Sequence, residues 1–164
     1  MNAADIYLGN PNLKKANTAV EFTEENIREF INCKDDPVYF AKNYVKIVSL
    51  DEGLVPFEPY DFQEKLINNF HAERFNICKM PRQTGKSTTV VAYLLHYAVF
   101  NDSVNIGILA NKAATARELL ARLQTAYENL PKWMQQGIVS WNKGSLELEN
   151  GSKILAASTS ASAV

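Results

Sequence analysis

A strand-length apolar run, a short loop and a long apolar helix follow one another between Phe75 and Val99, and no other stretch narrows the fold so far. Phe75, Ile77, Cys78 and Met80 predict a strand, and Val90, Val91, Tyr93, Leu94, Leu95, Ala98 and Val99 predict a helix that is apolar nearly all round and so buried. Between them stands Pro81-Arg82-Gln83-Thr84-Gly85-Lys86-Ser87-Thr88. A loop in that position can turn its backbone N–H groups inward while the helix points its positive end at the same spot, which makes a cradle for phosphate. Lys86 would then reach the terminal phosphates as a point charge, and the Ser87 hydroxyl would sit on a magnesium ion. The full motif, G-x-x-x-x-G-K-[ST], lacks its first glycine here because Met80 occupies that place. The strand–loop–helix setting separates the motif from an ordinary helix start that contains Gly-Lys-Ser.

The chain has 164 residues, enough for one domain or part of a larger one, and its 46% hydrophobic and 21% charged content suits one core. A net charge of −1 gives no global basic field for nucleic acid, although local contacts remain open. Cys33 and Cys78 lie far apart in sequence and are expected as buried thiols in a reducing compartment. No metal-ligand spacing, secretory signal or membrane-length apolar run is visible.

Residues 1–22 are polar and are expected as an extended or flexible arm; a partial ATPase domain is expected over 23–164. Thr23 predicts the cap of a helix with Ile27, Phe30 and Ile31 on its apolar face. Asp36-Pro37 predicts a second helix burying Val38, Ala41, Tyr44 and Val45. Leu50 to Pro59 reads as a loop, and Asp61 as the cap of a third helix carrying Phe62, Leu66, Ile67 and Phe70. After the phosphate loop, Val104 to Ala110 reads as a strand, with Asn111 as a possible cap for a helix that runs to about Asn129 and stops at Pro131. This βαβ order predicts a parallel sheet flanked by helices. Ile138 to Trp141, Ser145 to Glu149 and Lys153 to Ala157, separated by Asn-Lys-Gly and Asn-Gly, predict an antiparallel meander appended to it.

Nucleotide hydrolysis on such a loop also needs an acidic residue ending a neighbouring strand. Asp102 leaves a helix, and Glu147 and Glu149 lie in the hairpins, so none fits. Together with the Ser/Ala-rich tail from Ser158, this reads as the N-terminal piece of a longer chain, its sheet incomplete at the C-terminal end.

Several of these segments together resemble the N-terminal ATPase region of the large terminase subunit of tailed bacteriophages, most closely its T-even-like myovirus branch. Arg82-Gln83-Thr84-Gly85-Lys86-Ser87 has the form of that family's deviant phosphate loop, in which the first glycine is lost and an arginine precedes Gln-x-Gly-Lys-[ST]. Asp61-Phe62-Gln63 is similar to its adenine-contacting aromatic–Gln pair, with Phe62 where tyrosine is more usual. Ile106 to Ala110 and the hairpin from Gly137 to Ser152 are similar to its following strands.

The resemblance implies a P-loop NTPase fold that binds ATP and Mg²⁺ and couples hydrolysis to translocation of double-stranded DNA into a procapsid. It implies the portal protein and the small terminase subunit as partners, a possible homo-oligomer on the portal ring, and action in the cytoplasm of an infected bacterial host at the procapsid vertex. A nuclease domain is expected in the family and is absent from these residues. Gln63 would read the edge of adenine, or else face solvent from its helix. Phe62 would stack near the base, or else pack with Leu66. Arg82 would act on the γ-phosphate in the transition state, or else form an ion pair at a sheet edge. Lys86 and Ser87 keep the roles given above, with Gln83, Thr84 and Gly85 shaping the loop and Thr88 adding an α-phosphate contact or capping the helix. Trp133 and Trp141 are expected to pack, His71 and His96 to be structural, and Lys112 and Arg117 to lie on a solvated helix face, or else to face DNA. Two other readings remain: a fragment of a superfamily 2 helicase, whose loops usually keep the first glycine, and a truncated, non-catalytic nucleotide-binding product.

Overall fold

The computed structural model describes residues 5–49 and 51–159. Five helices and three small sheets make up these residues. Helix α1 (Glu24–Asp35) starts at Thr23, whose side chain accepts from the Asn26 N–H. Asp36 accepts from the N–H groups of Val38 and Tyr39 and opens α2 (Pro37–Tyr44), with Pro37 at a position where its missing N–H costs nothing. Helices α3 (Asp61–Ala72), α4 (Lys86–Phe100) and α5 (Ala113–Glu128) follow in the expected places.

Helix α4 is the hub. Val91, Leu95 and Val99 are buried, and so are Ala92, Ala98 and Phe100. Around its C-terminal half, His96 and Phe100 meet Phe40 of α2 edge-on, and Phe30 of α1 meets Phe100. The meander closes the helix end. Asn150 donates its amide to the carbonyls of Ala98 and Asn101, Gln136 donates to that of Val99, and the Ser152 hydroxyl donates to that of Asn101. Carbonyls that a helix end leaves unpaired are thereby satisfied from the sheet.

The main sheet departs from the expected parallel one. Strand β5 (Asn105–Ala110) pairs in parallel with β8 (Lys153–Ser158), but β8 pairs antiparallel with β7 (Ser145–Leu148), and β7 with β6 (Ile138–Trp141). The order is β5-β8-β7-β6, so the meander is the body of the sheet and not an appendage. The reason is local: Asn-Lys-Gly and Asn-Gly close hairpins that need no crossover, while only the β5-to-β8 step has a helix to cover a parallel return. The strand expected over Phe75 to Met80 joins no sheet; Phe75 is 82% and Ile77 101% exposed.

Other expectations are corrected by packing. Residues 46–56, read in large part as a loop, form the antiparallel pair β3 (Lys46–Ser49) and β4 (Gly53–Pro56). Cys33 is buried and its thiol is pushed up to about 12 by burial, but Cys78 is exposed because the segment around it is unpaired. Ile27 and Ile31 lie exposed on α1, which buries Cys33 instead. Tyr60, not Asp61, is the residue before α3, and Lys112, not Asn111, precedes α5. The Ser/Ala tail lies outside the described residues from 160 onward.

Within the stretch expected as an extended or flexible arm, β1 (Ile6–Tyr7) and β2 (Asn10–Lys14) form a hairpin seated on the meander. Leu13 is buried, and Gln135 takes the Lys14 N–H and donates to the Asn12 carbonyl. Glu149 accepts from the N–H groups of Gly137 and Asn17 and pairs with Lys14 at 3.2 Å. Burial raises the Glu149 carboxyl, but these donors and the Lys14 charge outweigh it and hold the group below its usual value. A Cβ at Gly137 would lie 2.5 Å from the Ala16 Cα, so only glycine lets the hairpin approach.

Two outcomes follow. Glu149→Ala strands two N–H groups and the Lys14 ammonium, and urea unfolding should show a loss of about 1–3 kcal/mol. His96 donates from Nε2 to the Cys33 carbonyl at 2.8 Å, and burial lowers its ring to about 4 from an ordinary 6.5. The unfolded state therefore takes up a proton first. This contribution is complete above pH 6.5 and shrinks as pH falls toward 4. Between pH 7 and pH 5 the native chain should lose about 2 kcal/mol more stability than His96→Gln, read from urea midpoints.

Candidate functional site

The loop between the exposed Phe75–Met80 segment and α4 is shaped by backbone conformation. Gln83 and Gly85 have φ of 63° and 71°. Thr84 donates its hydroxyl to the Pro81 carbonyl at 3.1 Å, and Thr89 donates its own to the Gly85 carbonyl at 3.0 Å. Lys86 is the first residue of α4 and Ser87 the second. No side chain caps this helix and its first turn holds no acidic residue. Its first N–H groups have no intrahelical acceptors, so its positive end is uncompensated.

Gln63 ties this loop to α3. It is 3% exposed, its Oε1 accepts from the Tyr60 N–H at 2.9 Å, and its Nε2 donates to the Thr84 carbonyl at 3.2 Å. The fit against the loop is tight: a Cβ at Gly85 would lie 2.4 Å from Gln63 Nε2. The solvent-facing alternative for Gln63 is thereby set aside.

An open cavity of about 700 Å³ lies over this contact. Gln83, Thr84, Gly85 and Thr88 line one side, Phe62 and Gln63 another, and Val55 and Pro56 of β4 a third. Phe62 is 44% exposed and stacks on Tyr60 with an interplanar angle of 12°, so it does not pack into the core with Leu66. Arg82, Lys86 and Ser87 stand outside this lining. Arg82 is exposed and makes no ion pair among the described residues. Lys86 folds back and donates from Nζ to the Met80 carbonyl at 3.3 Å. The expected residues therefore occupy one region but not one surface.

Two contributors went unseen in sequence, Tyr60 and the β3–β4 hairpin. The apolar pairs Ile47-Val48 and Leu54-Val55 around Asp51-Glu52-Gly53 carried the hairpin signal, and Gly53 indeed takes φ 75°. Trp133 and Trp141 are half-buried packing residues, His71 is exposed, and Lys112 and Arg117 face solvent.

The helix start thus combines a bent loop with Gly85 at its end, a lysine held to that loop by one hydrogen bond and a lateral cavity, within an α/β domain. The model of the family described as terminase large subunit, T4likevirus-type, N-terminal, matches residues 77–163, and the chain belongs to that family. The match takes in the loop, α4, β5, α5 and the meander; Phe62 and Gln63 lie upstream of it. Among the described residues no helix is long and apolar enough to cross a membrane.

Gly85→Ala places a methyl group into the Gln63 amide and a side chain into left-handed backbone. Thermal and urea unfolding should show a loss of at least about 1–2 kcal/mol. Gly107→Ala, at a position with nothing within 4 Å of the added Cβ, should cost less.

Proposed function

We propose that this chain is the nucleotide-binding portion of a DNA-packaging motor: it takes ATP with Mg²⁺, and in the working motor hydrolysis drives double-stranded DNA into a procapsid. The observation that carries this reading is the uncapped start of α4, with Lys86, Ser87 and Thr88 in its first turn beside a cavity that ends on the Gln63 contact. Family membership supplies the motor context.

The donor set suits a polyphosphate. The first N–H groups of α4 and the Lys86 ammonium offer fixed positive charge, and Arg82 is free to add a planar guanidinium at the γ-phosphate. Lys86 needs only to leave the Met80 carbonyl, a single hydrogen bond, to meet phosphate. Ser87 is the hydroxyl that would hold magnesium, which when bound supplies neutralisation of charge on the β- and γ-oxygens. Magnesium is usually held through one or two carboxylates together with phosphate. Among the described residues no group of three or more His, Cys, Asp or Glu side chains could hold a metal.

The portal protein, the small terminase subunit and a ring of further copies are the partners proposed with this reading, in the cytoplasm of an infected bacterium. A helicase-type translocase is less well supported, because Met80 replaces the first glycine and the family match is to terminases.

Lys86→Ala tests the site. Titration of a fluorescent ATP analogue with Mg²⁺ should show affinity weakened about 10-fold or more, while the circular dichroism spectrum is unchanged. Equal affinity in wild type and Lys86→Ala would remove the phosphate role from this loop.

A further inference from the structure

A second cavity, of about 450 Å³, lies at the other end of α4, where α1 and α3 also end. Lys34 and Asp35 of α1, His71 of α3, and His96, Phe100 and Asn101 at the end of α4 line it. The opposite charges of Lys34 and Asp35 offset each other. The carbonyl ends of α1 and α3 add negative potential, which favours a cation. Asn101 spends its amide on the Tyr97 carbonyl and so offers the cavity no donor from that group.

The group that asks for a ligand is His96, which is 2% exposed. Its Nε2 donates to the Cys33 carbonyl, and a carbonyl only accepts, so the ring proton is on Nε2 and Nδ1 keeps a bare lone pair. Nδ1 is buried and has no hydrogen-bond partner among the described residues. A buried acceptor left in that state costs stability unless something fills it. One ring nitrogen donating to a backbone carbonyl with the other bare is the arrangement of a metal-ligating histidine, whose tautomer and orientation are set by that outer contact. Phe40, Tyr93 and Phe100 pack round the His96 ring and hold its plane. The remaining ring against it is the exposed His71, with centroids 6.0 Å apart and planes at 82°. Two imidazoles bound to one tetrahedral zinc ion place their ring centres roughly 5–6 Å apart.

We propose that His96, through Nδ1, and His71 together hold a late first-row divalent cation, Zn²⁺ in first place, with water completing the coordination. Imidazole nitrogen suits zinc, whereas magnesium takes oxygen ligands, so this site is distinct in chemistry from the one at the phosphate loop. The ion would pin the last turn of α3 to the last part of α4. Gln63 already joins the first turn of α3 to the loop before α4, so the helix pair would be fastened at both ends. The inference is independent of nucleotide binding.

The test uses the whole chain, free of any histidine tag and carrying Cys78→Ser, because that exposed thiol is itself a zinc ligand. Calorimetric titration with ZnCl₂ should show a single site with a dissociation constant below about 100 µM, and millimolar Mg²⁺ should not compete. His71→Ala, at an exposed position, should keep the circular dichroism spectrum and weaken zinc about 10-fold or more, and His96→Gln should weaken it likewise. In nitrogen NMR spectra of the imidazole rings, zinc should move Nδ1 of His96 and leave its Nε2 protonated. A dissociation constant above about 100 µM in the parent chain would overturn the proposal. So would equal zinc affinity in the parent chain and His71→Ala, or a zinc-induced shift at Nε2 of His96 in place of Nδ1.

Discussion

Everything in this chain is arranged around the burial of α4. A helix that is apolar on nearly every side cannot stand at a surface, so it must be enclosed. Helices α1 to α3 supply one part of the enclosure, and α5 with the sheet behind it supplies the other. The two ends of α4 are fixed differently. Asn150, Gln136 and Ser152 fill the carbonyls at its C-terminal end from the meander. The N-terminal end is left with its N–H groups free, and only the loop before it is held, through Thr84 and Gln63. A helix satisfied at its negative end and open at its positive end is a fixed dipole aimed at one point in space.

Gln63 turns that arrangement into a site. One side chain joins the start of α3 to the loop before α4, so the wall that carries Tyr60 and Phe62 cannot move independently of Thr84 and Gly85. The short approach between Gly85 and the Gln63 amide explains the glycine twice over, since the backbone there is left-handed and the space is already filled. The cavity wall at the start of α3 and the loop before α4 are in this way joined through one side chain.

What could be read from sequence was whatever rests on local chemistry. Thr23 and Asp36 announce their helices because a side-chain oxygen three residues from a free N–H is a local event. The meander strands are legible to within a residue or two because Asn-Lys-Gly and Asn-Gly fix their hairpins. The β3–β4 hairpin is hidden because Pro56 and Pro59 suggest a loop, although an edge strand tolerates proline at its end. The N-terminal hairpin is hidden because its anchors are remote: Gln135 and Glu149 lie far along the chain from Asn12, Lys14 and Asn17, and no local pattern links them. The site is legible as a set of residues but not as a surface. Nothing in the spacing says that Lys86 turns to the Met80 carbonyl or that both ends of the Gln63 amide are occupied.

The Phe75–Met80 segment shows most directly where periodicity stops being sufficient. Its residues favour the extended backbone, but a strand exists only when its N–H and C=O groups meet a neighbour. Among the described residues β5 pairs on one side with β8, and no ladder reaches residues 75–80. The segment therefore stays unpaired, with the Arg74 guanidinium 5.1 Å from the centre of the Phe75 ring. The loop that follows does not need that strand to hold its shape: its own hydroxyl bonds, the left-handed turn at Gln83 and Gly85 and the Gln63 amide define it from the helix side. The geometry of the loop thus depends on α3 and α4, and the sheet contributes to it only through the burial of α4.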